Sequence, residues 1–388
     1  MIYLDNAAST APAPEVLEAL LAAARTLYAN PSSAHGLGAA AARAVEGARL
    51  QVAQALGAQD PGEIVFTSGG TEANALGILG PAGVSRGRHL VITALEHPAV
   101  LRTAEQLCAS GYTLTIVPAT PEGIVRVEDV VAAVRPETAV VAVMLVNNEL
   151  GTVLPVVEIG RALKGAGATA RGPHLHVDAV QAFGFLSIRA TSLGADTVAI
   201  SGHKFHGPKG TGALWVRPGV RLRPLWDGGR QERGLRSGTE NVPGWVALGK
   251  AAALAVAHRE RGAATKIEAQ RDWLQAAVVA RVPGARPTVS GARRAPHITS
   301  LAFPELPAEP LLHALEARGV YASAGAACAS RTRGPSHVLK AVGLDDHTAV
   351  LRFSLSRATT DAEIEGAIAA LIEAVAEIAP MAKRRAER

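Results

Sequence analysis

Short apolar runs alternate with alanine- and leucine-rich stretches over much of this chain, and this alternation limits its fold more than any other feature. Several runs are apolar throughout, which is typical of strands buried on both faces of a parallel sheet. The pattern predicts an α/β fold with a mostly parallel central sheet flanked by helices. The predicted strands are EIVFTS (63–68), HLVITA (89–94), TLTIVPA (113–119), AVVAVMLV (139–146), HLHVDA (174–179), DTVAIS (196–201) and GALWVRP (212–218).

The pattern changes near residue 250. A single long alanine-rich helical segment is predicted over 245–282, and a strand, a helix, a loop rich in glycine, alanine and serine, another strand and a final helix follow it. We therefore predict a large domain over 15–250. A smaller α+β C-terminal domain is predicted over 251–388, packed with the N-terminal arm 1–14.

Composition excludes several functional classes. The net charge of +5 comes with no basic stripe, and aromatic residues make up only 4%, so direct nucleic-acid binding is not expected. Two cysteines exclude a disulfide scaffold or a cysteine-rich metal cage. Asp5 lies where a signal peptide needs an apolar run, and Lys250, Glu373 and Glu377 interrupt the most apolar later stretches. We expect a cytoplasmic protein without a membrane segment.

Polar residues follow five of the predicted strands at their carboxyl ends. Ligands of open α/β sheets bind at that edge, so these residues are expected to line one pocket. They are the segment 69–74, His97, the pair Asn147 and Asn148, the pair Asp178 and Gln181, and the group Ser201, His203 and Lys204.

Each of these residues has an ordinary alternative role. Gly70 and Thr71 at a helix start suit a phosphate, but they also suit a capped helix without a ligand. Asp178 either caps the next helix or pairs with a protonated heterocyclic nitrogen. Lys204 is either a surface lysine or a desolvated amine that forms a Schiff base. A metal site is not expected, since no second ligand cluster has zinc spacing and His176 lies within a predicted strand.

The C-terminal part contributes a thiol and a guanidinium. Cys328 lies in a loop of small residues with two arginines nearby, which favours an accessible, partly ionised thiol. Cys108 is predicted on the core side of a helix, where a thiol is shielded and inert. Arg352 lies in an apolar strand and needs an acidic partner, either a structural carboxylate or that of a substrate.

The motifs, in their order and spacing, resemble those of the cysteine desulfurases of the NifS/IscS type. These are pyridoxal 5′-phosphate (PLP) enzymes of fold type I in the class V aminotransferase group. The resemblance implies a homodimer that removes sulfur from L-cysteine, releases L-alanine and passes a persulfide to an acceptor protein for iron–sulfur cluster assembly or tRNA thiolation. The motifs are YLDNAAST, NPSSAHG, FTSGGTEAN, LEHPAV, NNELGT, HVDAVQA, SGHKFHGPKG, GGRQERGLRSGTEN, SAGAACAS and LRFSLSR.

The resemblance also implies roles for the residues that would bind the cofactor. Lys204 forms the covalent bond with the cofactor aldehyde, Asp178 pairs with the ring nitrogen, and Gln181 bonds the ring hydroxyl. His97 stacks on the ring and moves protons. The phosphate is held by Gly70, Thr71, Ser201, His203 and, from the partner subunit of the dimer, Thr239.

The remaining roles concern the substrate. Asn148 and Arg352 hold the substrate carboxylate, and Cys328 is the nucleophile that takes the sulfur. A selenocysteine lyase or another class V PLP enzyme is the alternative, although an aminotransferase needs no thiol at Cys328. A catalytically silent scaffold is a further alternative, which the full set of chemical residues disfavours. Comparing turnover of cysteine and selenocysteine separates the first alternative from a desulfurase.

Overall fold

The computed structural model describes residues 1–164, 172–304, 306–324, 336–344 and 348–386, with side chains up to residue 380. The helices are α1 (Pro14–Thr26), α2 (Gly36–Leu56), α3 (Gly70–Ala82), α4 (Pro98–Ala109), α5 (Val127–Ala132), α6 (Val156–Leu163), α7 (Val242–Glu260), α8 (Ala263–Arg281), α9 (Ala308–Ala317), α10 (His337–Ala341) and α11 (Asp361–Ala386). The strands are β1 (Ile2–Tyr3), β2 (Ile64–Thr67), β3 (His89–Thr93), β4 (Thr113–Val117), β5 (Thr138–Met144), β6 (His174–Asp178), β7 (Thr197–Ser201), β8 (Gly212–Val216), β9 (Arg286–Pro287), β10 (Ile298–Phe303), β11 (Val320–Tyr321), β12 (Ser323–Ala324) and β13 (Ala349–Ser354).

The central sheet has seven strands among the described residues, in the order β2-β8-β7-β6-β5-β3-β4. Strands β7, β6, β5, β3 and β4 run parallel, and β8 is antiparallel to both of its neighbours. Six of the seven predicted runs contain one of these strands, and the run 139–146 overlaps β5, which begins one residue earlier at Thr138. The α/β class with a mostly parallel sheet is therefore confirmed.

Helices cover both faces of this sheet, and the side chains of β3 show how. Val91 packs into a cluster that includes residues of α2 and α7. Its neighbours Leu90 and Ile92 point to the opposite face and pack with residues of α3 and α4. Because successive side chains of a strand alternate between faces, both sets are buried and the run is apolar throughout.

A second, smaller layer lies in the C-terminal part. Strands β12, β13, β10 and β9 form an antiparallel sheet, which packs with α8, α9 and α11 around a core of its own. The N-terminal arm joins this layer, since β1 runs parallel to β11 and Leu4 is buried in the same core. The division between residues 250 and 251 stays a prediction.

The prediction of one long helical segment over 245–282 is wrong in one respect, because this part of the chain forms two helices. Helix α7 ends at Glu260 and α8 begins at Ala263. Between them Gly262 adopts a left-handed conformation with φ 85°. Glycine reaches this region without a steric cost, so the chain turns there and α8 packs in the smaller layer.

The topology brings the carboxyl ends of β3, β5, β6 and β7 to one edge of the central sheet. Polar residues follow each of these strands at that edge, as the sequence predicts. Within the described part of the chain, no helix has both the length and the apolar character needed to cross a membrane.

Candidate active site

A cavity of about 270 Å³ lies at the carboxyl edge of the parallel strands. Among the described residues, all the predicted cofactor and substrate residues line it except Thr239. Side chains or backbone from β5, β6, β7, α3, α4 and the smaller layer converge there. The predicted residues in its wall are Gly70, Thr71, His97, Asn148, Asp178, Gln181, Ser201, His203, Lys204 and Arg352.

Lys204 follows β7 in a short 3₁₀ turn, which directs its side chain into the cavity. Its Nζ donates to the backbone oxygen of Ala7 at 2.7 Å and to that of Ala8 at 2.9 Å. These carbonyls belong to the N-terminal arm. The arm therefore completes the wall of the cavity and fixes the position of the lysine amine.

Asp178 is the last residue of β6 and is buried, with 5% of its surface exposed. Its Oδ1 accepts from the backbone N–H of Val180 at 2.9 Å, and its Oδ2 accepts from Nδ2 of Asn74 at 2.7 Å. Gln181 lies on the same wall and donates from Nε2 to Ala7 at 2.8 Å. The carboxylate is thus held by two donors at the floor of the cavity.

The end of the cavity at helix α3 suits a phosphate. The N-cap residue Gly69 has no side chain to accept from the first N–H groups of α3, so these donors carry the positive end of the helix dipole. A Cβ atom on Gly70 would lie 2.9 Å from Val180 and 3.2 Å from Ser201. Only glycine leaves this corner open.

Two histidines at the cavity have a lowered pKa. Burial, together with the positive charges of Lys204 and Lys209, lowers the pKa of His203 to about 4. Burial also lowers the pKa of His97, an effect that Asp178 opposes and Lys204 reinforces. Nδ1 of His97 accepts from the N–H of Ala99 at 3.0 Å. In the neutral ring the proton therefore lies on Nε2.

Glu96, next to His97, is a buried carboxyl group to which the sequence reasoning assigned no role. Its Oε1 accepts from the hydroxyl of Thr93 at 2.7 Å and from the N–H of Met144 at 2.9 Å. It thus joins the ends of β3 and β5. Burial raises the pKa of Glu96 to about 8, so the carboxyl group is protonated at neutral pH.

Arg352 lies on β13 with 2% of its surface exposed. It donates to Oδ1 of Asp5 at 2.7 Å and to the backbone oxygen of Asn148 at 2.8 Å. The acidic partner that the sequence requires is therefore Asp5 in this structure. Nε of Arg352 is also buried but has no hydrogen-bond partner within the described residues. Arg352 also lines the cavity, where a guanidinium can bind a ligand carboxylate.

Two predicted site residues remain, of which the structure describes only Thr239. Thr239 is exposed and lies outside the cavity of its own chain. Cys328 falls outside the described residues, and so do Arg331 and Arg333.

The prediction that Cys108 is shielded is wrong. Cys108 lies in α4 but is only half-buried. The buried residues of α4 are Val100, Thr103, Ala104 and Leu107, a stripe with helical spacing. Because each helical residue turns about 100°, Cys108 falls at the edge of this stripe and not at its centre.

Three residues of the cavity wall contribute hydrogen-bonding groups to which the sequence reasoning gave no individual role, although one of them, Asn74, lies in the segment 69–74 predicted at the pocket. Ala7 and Ala8 act through backbone oxygens, which a sequence pattern cannot reveal. Asn74 does have a signal, because it follows Thr71 by three residues and so lies on the same face of α3. Its contact with Asp178 depends on the pairing of α3 with β6, which only the folded chain shows.

The residues present fit PLP. A lysine amine, a buried carboxylate, an amide side chain and a phosphate-sized corner without a Cβ atom share one cavity. PLP needs these four features for its aldehyde, ring nitrogen, ring hydroxyl and phosphate. The guanidinium of Arg352 in the same wall can also hold an amino-acid carboxylate.

Comparisons with known proteins identify the family of this chain. Residues 2–366 match the family described as aminotransferase class-V. The chain is 44% identical to the cysteine desulfurase of Trichormus azollae over 97% of this chain and 93% of that protein. It is 39% identical to the cysteine desulfurase IscS of Methanosarcina thermophila over 98% of this chain and 93% of that protein. A solved NifS-like protein is 35% identical and superposes with a TM-score of 0.90 over 97% of this chain and 100% of its own.

Members of this family depend on PLP, and the α/β architecture described above is that of PLP-dependent enzymes of fold type I. The match with the cysteine desulfurases extends over nearly the whole chain, and the family match over residues 2–366 includes every described segment that lines the cavity. The chain therefore belongs to the aminotransferase class-V family and, within it, to the cysteine desulfurases.

Proposed function

We propose that this chain removes sulfur from L-cysteine with PLP bound in the cavity, releases L-alanine and keeps the sulfur as a persulfide on Cys328. One observation carries the proposal: the amine of Lys204, the carboxylate of Asp178 and the guanidinium of Arg352 meet in a single cavity. Relatives with 44% identity over nearly the whole chain are named cysteine desulfurases, which supports the same reaction.

The cofactor would be held at both ends. Lys204 binds its aldehyde, Asp178 accepts from its ring nitrogen, and Gln181 faces its ring hydroxyl. Gly70, Thr71, Ser201 and His203 surround its phosphate. PLP in this position supplies an electron sink for the substrate carbon that carries the amine.

Protein groups then handle the substrate. The carboxylate of L-cysteine is bound by Arg352 and Asn148, which both line the cavity. Lys204, once its amine is released, moves the proton at the substrate Cα. His97 moves a proton through its Nε2, since its Nδ1 is occupied by a backbone N–H.

Cys328 completes the reaction as the sulfur acceptor. Overall, L-cysteine and the Cys328 thiol give L-alanine and the Cys328 persulfide, so that one sulfur moves and no external oxidant or reductant is needed. A protein acceptor of the iron–sulfur scaffold or thiolation-carrier type then takes the sulfur. We place the enzyme in the cytoplasm, where the reducing conditions keep such a thiol free.

The direct test is incubation of the PLP-loaded protein with L-cysteine and a thiol reductant. We expect equal amounts of L-alanine and sulfide. Selenocysteine serves as a second substrate in parallel. Formation of pyruvate instead of alanine, or turnover of selenocysteine alone, would contradict the proposal.

Replacing Arg352 with alanine should mainly weaken binding of L-cysteine. A buried carboxylate contact that loses its partner costs about 2–5 kcal/mol, so the apparent affinity should fall by at least about thirtyfold. The visible absorption of bound PLP should survive. Titration of that absorption with L-cysteine measures the effect.

The control for this variant is Asp5→Asn, which removes the ion-pair partner of Arg352 but keeps the guanidinium. If Arg352→Ala left the affinity for cysteine unchanged, Arg352 would have only a structural role, through its contacts with Asp5 and Asn148.

We propose that the active form is a homodimer in which Thr239 reaches the phosphate bound by the partner subunit. Thr239 is exposed and does not line the cavity of its own chain, which is consistent with this arrangement. Helices α1 and α2 also expose large apolar side chains that a second copy could cover. These are Leu17, Leu21, Leu37 and Leu50.

Mixed dimers test this arrangement. Lys204→Ala and Thr239→Ala subunits, mixed at limiting PLP, should regenerate about a quarter of wild-type activity, because half of randomly paired dimers carry one intact site. The matched control mixes Thr239→Ala with the double variant Lys204→Ala, Thr239→Ala, and it should regenerate none. A fully active monomer in sedimentation would rule the arrangement out.

A further inference from the structure

Strand β6 carries two histidines and an aspartate on one face. His174, His176 and Asp178 are alternate residues, so their side chains point the same way, toward helix α3. His176 has no exposed surface and is paired in the sheet with Thr197 of β7, which is also fully buried. Buried polar side chains at such a position need partners, and these residues bond one another.

The hydrogen bonds form one continuous chain that ends on Asp178. Nε2 of His174 lies 2.9 Å from Oγ1 of Thr197, and the same oxygen lies 2.9 Å from Nδ1 of His176. Nε2 of His176 lies 2.9 Å from Oδ1 of Asn74. Nδ2 of Asn74 lies 2.7 Å from Oδ2 of Asp178. This chain of hydrogen bonds extends over the length of β6, roughly 13 Å.

The donor and acceptor of every hydrogen bond follow from the last bond, between Asn74 and Asp178. The carboxylate of Asp178 can only accept, so Asn74 presents its NH₂ group to Asp178 and its oxygen to His176. His176 must then donate from Nε2, which leaves Nδ1 to accept from the hydroxyl of Thr197. The hydroxyl has one proton, so Thr197 in turn accepts from Nε2 of His174. Every donor points toward Asp178.

The charge state of the histidines agrees with this direction. Burial lowers the pKa of both His174 and His176 to about 3, so both rings are neutral at physiological pH. A neutral ring carries one proton, and the chain assigns it to Nε2 in each case. Within the described residues, no group of three or more potential ligands could hold a metal ion, so the histidines are not arranged as a metal site.

Helix α3 leaves room for the ring of His176. A Cβ atom on Gly77 would lie 2.2 Å from Nδ1 and 2.4 Å from Cε1 of that ring. Any larger residue at this position would displace the imidazole. The absence of a side chain on α3 therefore allows the histidine to reach Asn74.

We infer that His176, Asn74 and Thr197 are positioning residues for the cofactor: their chain of hydrogen bonds fixes the orientation of Asn74 and keeps Asp178 a hydrogen-bond acceptor for the ring nitrogen of PLP. This inference rests on the proposed function of Asp178. Aligned donors polarise one another, so the chain stabilises the negative charge on Asp178 more than Asn74 alone would. Without His176, the amide of Asn74 could rotate and turn its oxygen toward the carboxylate.

The test compares binding of PLP with binding of its 1-deaza analogue, in which a carbon replaces the ring nitrogen. The full-length protein is stripped of cofactor and titrated with each compound. The ratio of the two dissociation constants isolates interactions at the ring nitrogen. A general loss of stability weakens binding of both compounds equally and leaves the ratio unchanged.

Two matched pairs of variants probe the chain. Thr197→Val removes the hydroxyl at nearly constant volume, and Thr197→Ser keeps it. His176→Leu removes the N–H toward Asn74, and His176→Gln keeps one. We expect Thr197→Val and His176→Leu to reduce the preference for PLP over the 1-deaza analogue by about three- to tenfold, the effect of one hydrogen bond. The matched variants Thr197→Ser and His176→Gln should retain most of this preference.

Asp178→Asn separates this inference from the proposed function. If Asp178→Asn abolishes the preference for PLP while Thr197→Val and His176→Leu keep it, the chain of hydrogen bonds does not act through Asp178 and the inference is wrong. If Asp178→Asn itself keeps the preference, the proposed cofactor role of Asp178 fails. Where His176→Leu does not fold, the Thr197 pair and Gly77→Ala, which displaces the ring of His176, decide the question.

Discussion

Replacing Lys204 with alanine should abolish the visible absorption of bound PLP and lower turnover of L-cysteine by more than about a thousandfold. The variant loses both the covalent attachment of the cofactor and the amine that moves the Cα proton, and each loss is large by itself. The absorption spectrum of the reconstituted protein and the rate of alanine formation measure the two effects separately.

Lys209 provides the matched control for this variant. It lies five residues further along the chain, is exposed and does not line the cavity. Lys209→Ala should keep the spectrum and most of the activity. A Lys204→Ala protein that still forms a borohydride-reducible bond between PLP and another lysine would show that Lys204 is not the attachment residue.

The second large effect concerns the thiol. Cys328→Ser should bind PLP and L-cysteine with little change but release almost no sulfide, a loss of at least about a thousandfold. A serine hydroxyl is far less ionised and less nucleophilic than a thiolate, and it cannot form a persulfide. Sulfide release and the spectral response to L-cysteine measure the two properties in the same sample.

Cys108→Ser is the control, and its expected behaviour rests on distance. Cys108 is half-buried, so burial alone does not make its thiol inert. However, it lies eleven residues beyond His97 along α4, which places it roughly 16 Å from the cavity end of that helix. Sulfur transfer needs direct contact, so Cys108→Ser should retain nearly full activity.

The sequence predicts the sheet well because its signals are local. The strands β3, β5 and β7 are buried on both faces, and their apolar runs identify them without knowledge of their neighbours. The rule that ligands bind at the carboxyl edge of parallel strands then brings Asp178, Ser201 and Lys204 to one place. The cavity that these residues line agrees with that reasoning.

Long-range backbone contacts explain what the sequence does not predict. Lys204 and Gln181 donate to carbonyls of the N-terminal arm, and residues separated by more than 170 positions make these contacts. Every residue has such a carbonyl, so no residue type indicates it. The partner of Arg352 also depends on a long-range contact. An arginine in a buried strand indicates that an acidic partner is needed, but only the folded structure shows that this partner is Asp5 of the N-terminal arm.

The break between α7 and α8 shows a different limit. Alanine-rich segments on both sides of Gly262 favour a helix, and a single glycine within a helix is tolerated at a cost of about 1 kcal/mol. The turn forms because the packing of α8 against the smaller layer outweighs the continuation of one helix. Helical propensity alone contains no information on that packing.

The most direct test of the central claim is mass spectrometry of the protein after treatment with L-cysteine. The PLP-loaded enzyme is incubated with L-cysteine without reductant, then digested, and the masses of the peptides that contain Cys328 and Cys108 are compared with those of untreated enzyme. We predict one additional sulfur on the Cys328 peptide and none on the Cys108 peptide. An additional sulfur on Cys108 that is absent from Cys328 would contradict the proposed reaction.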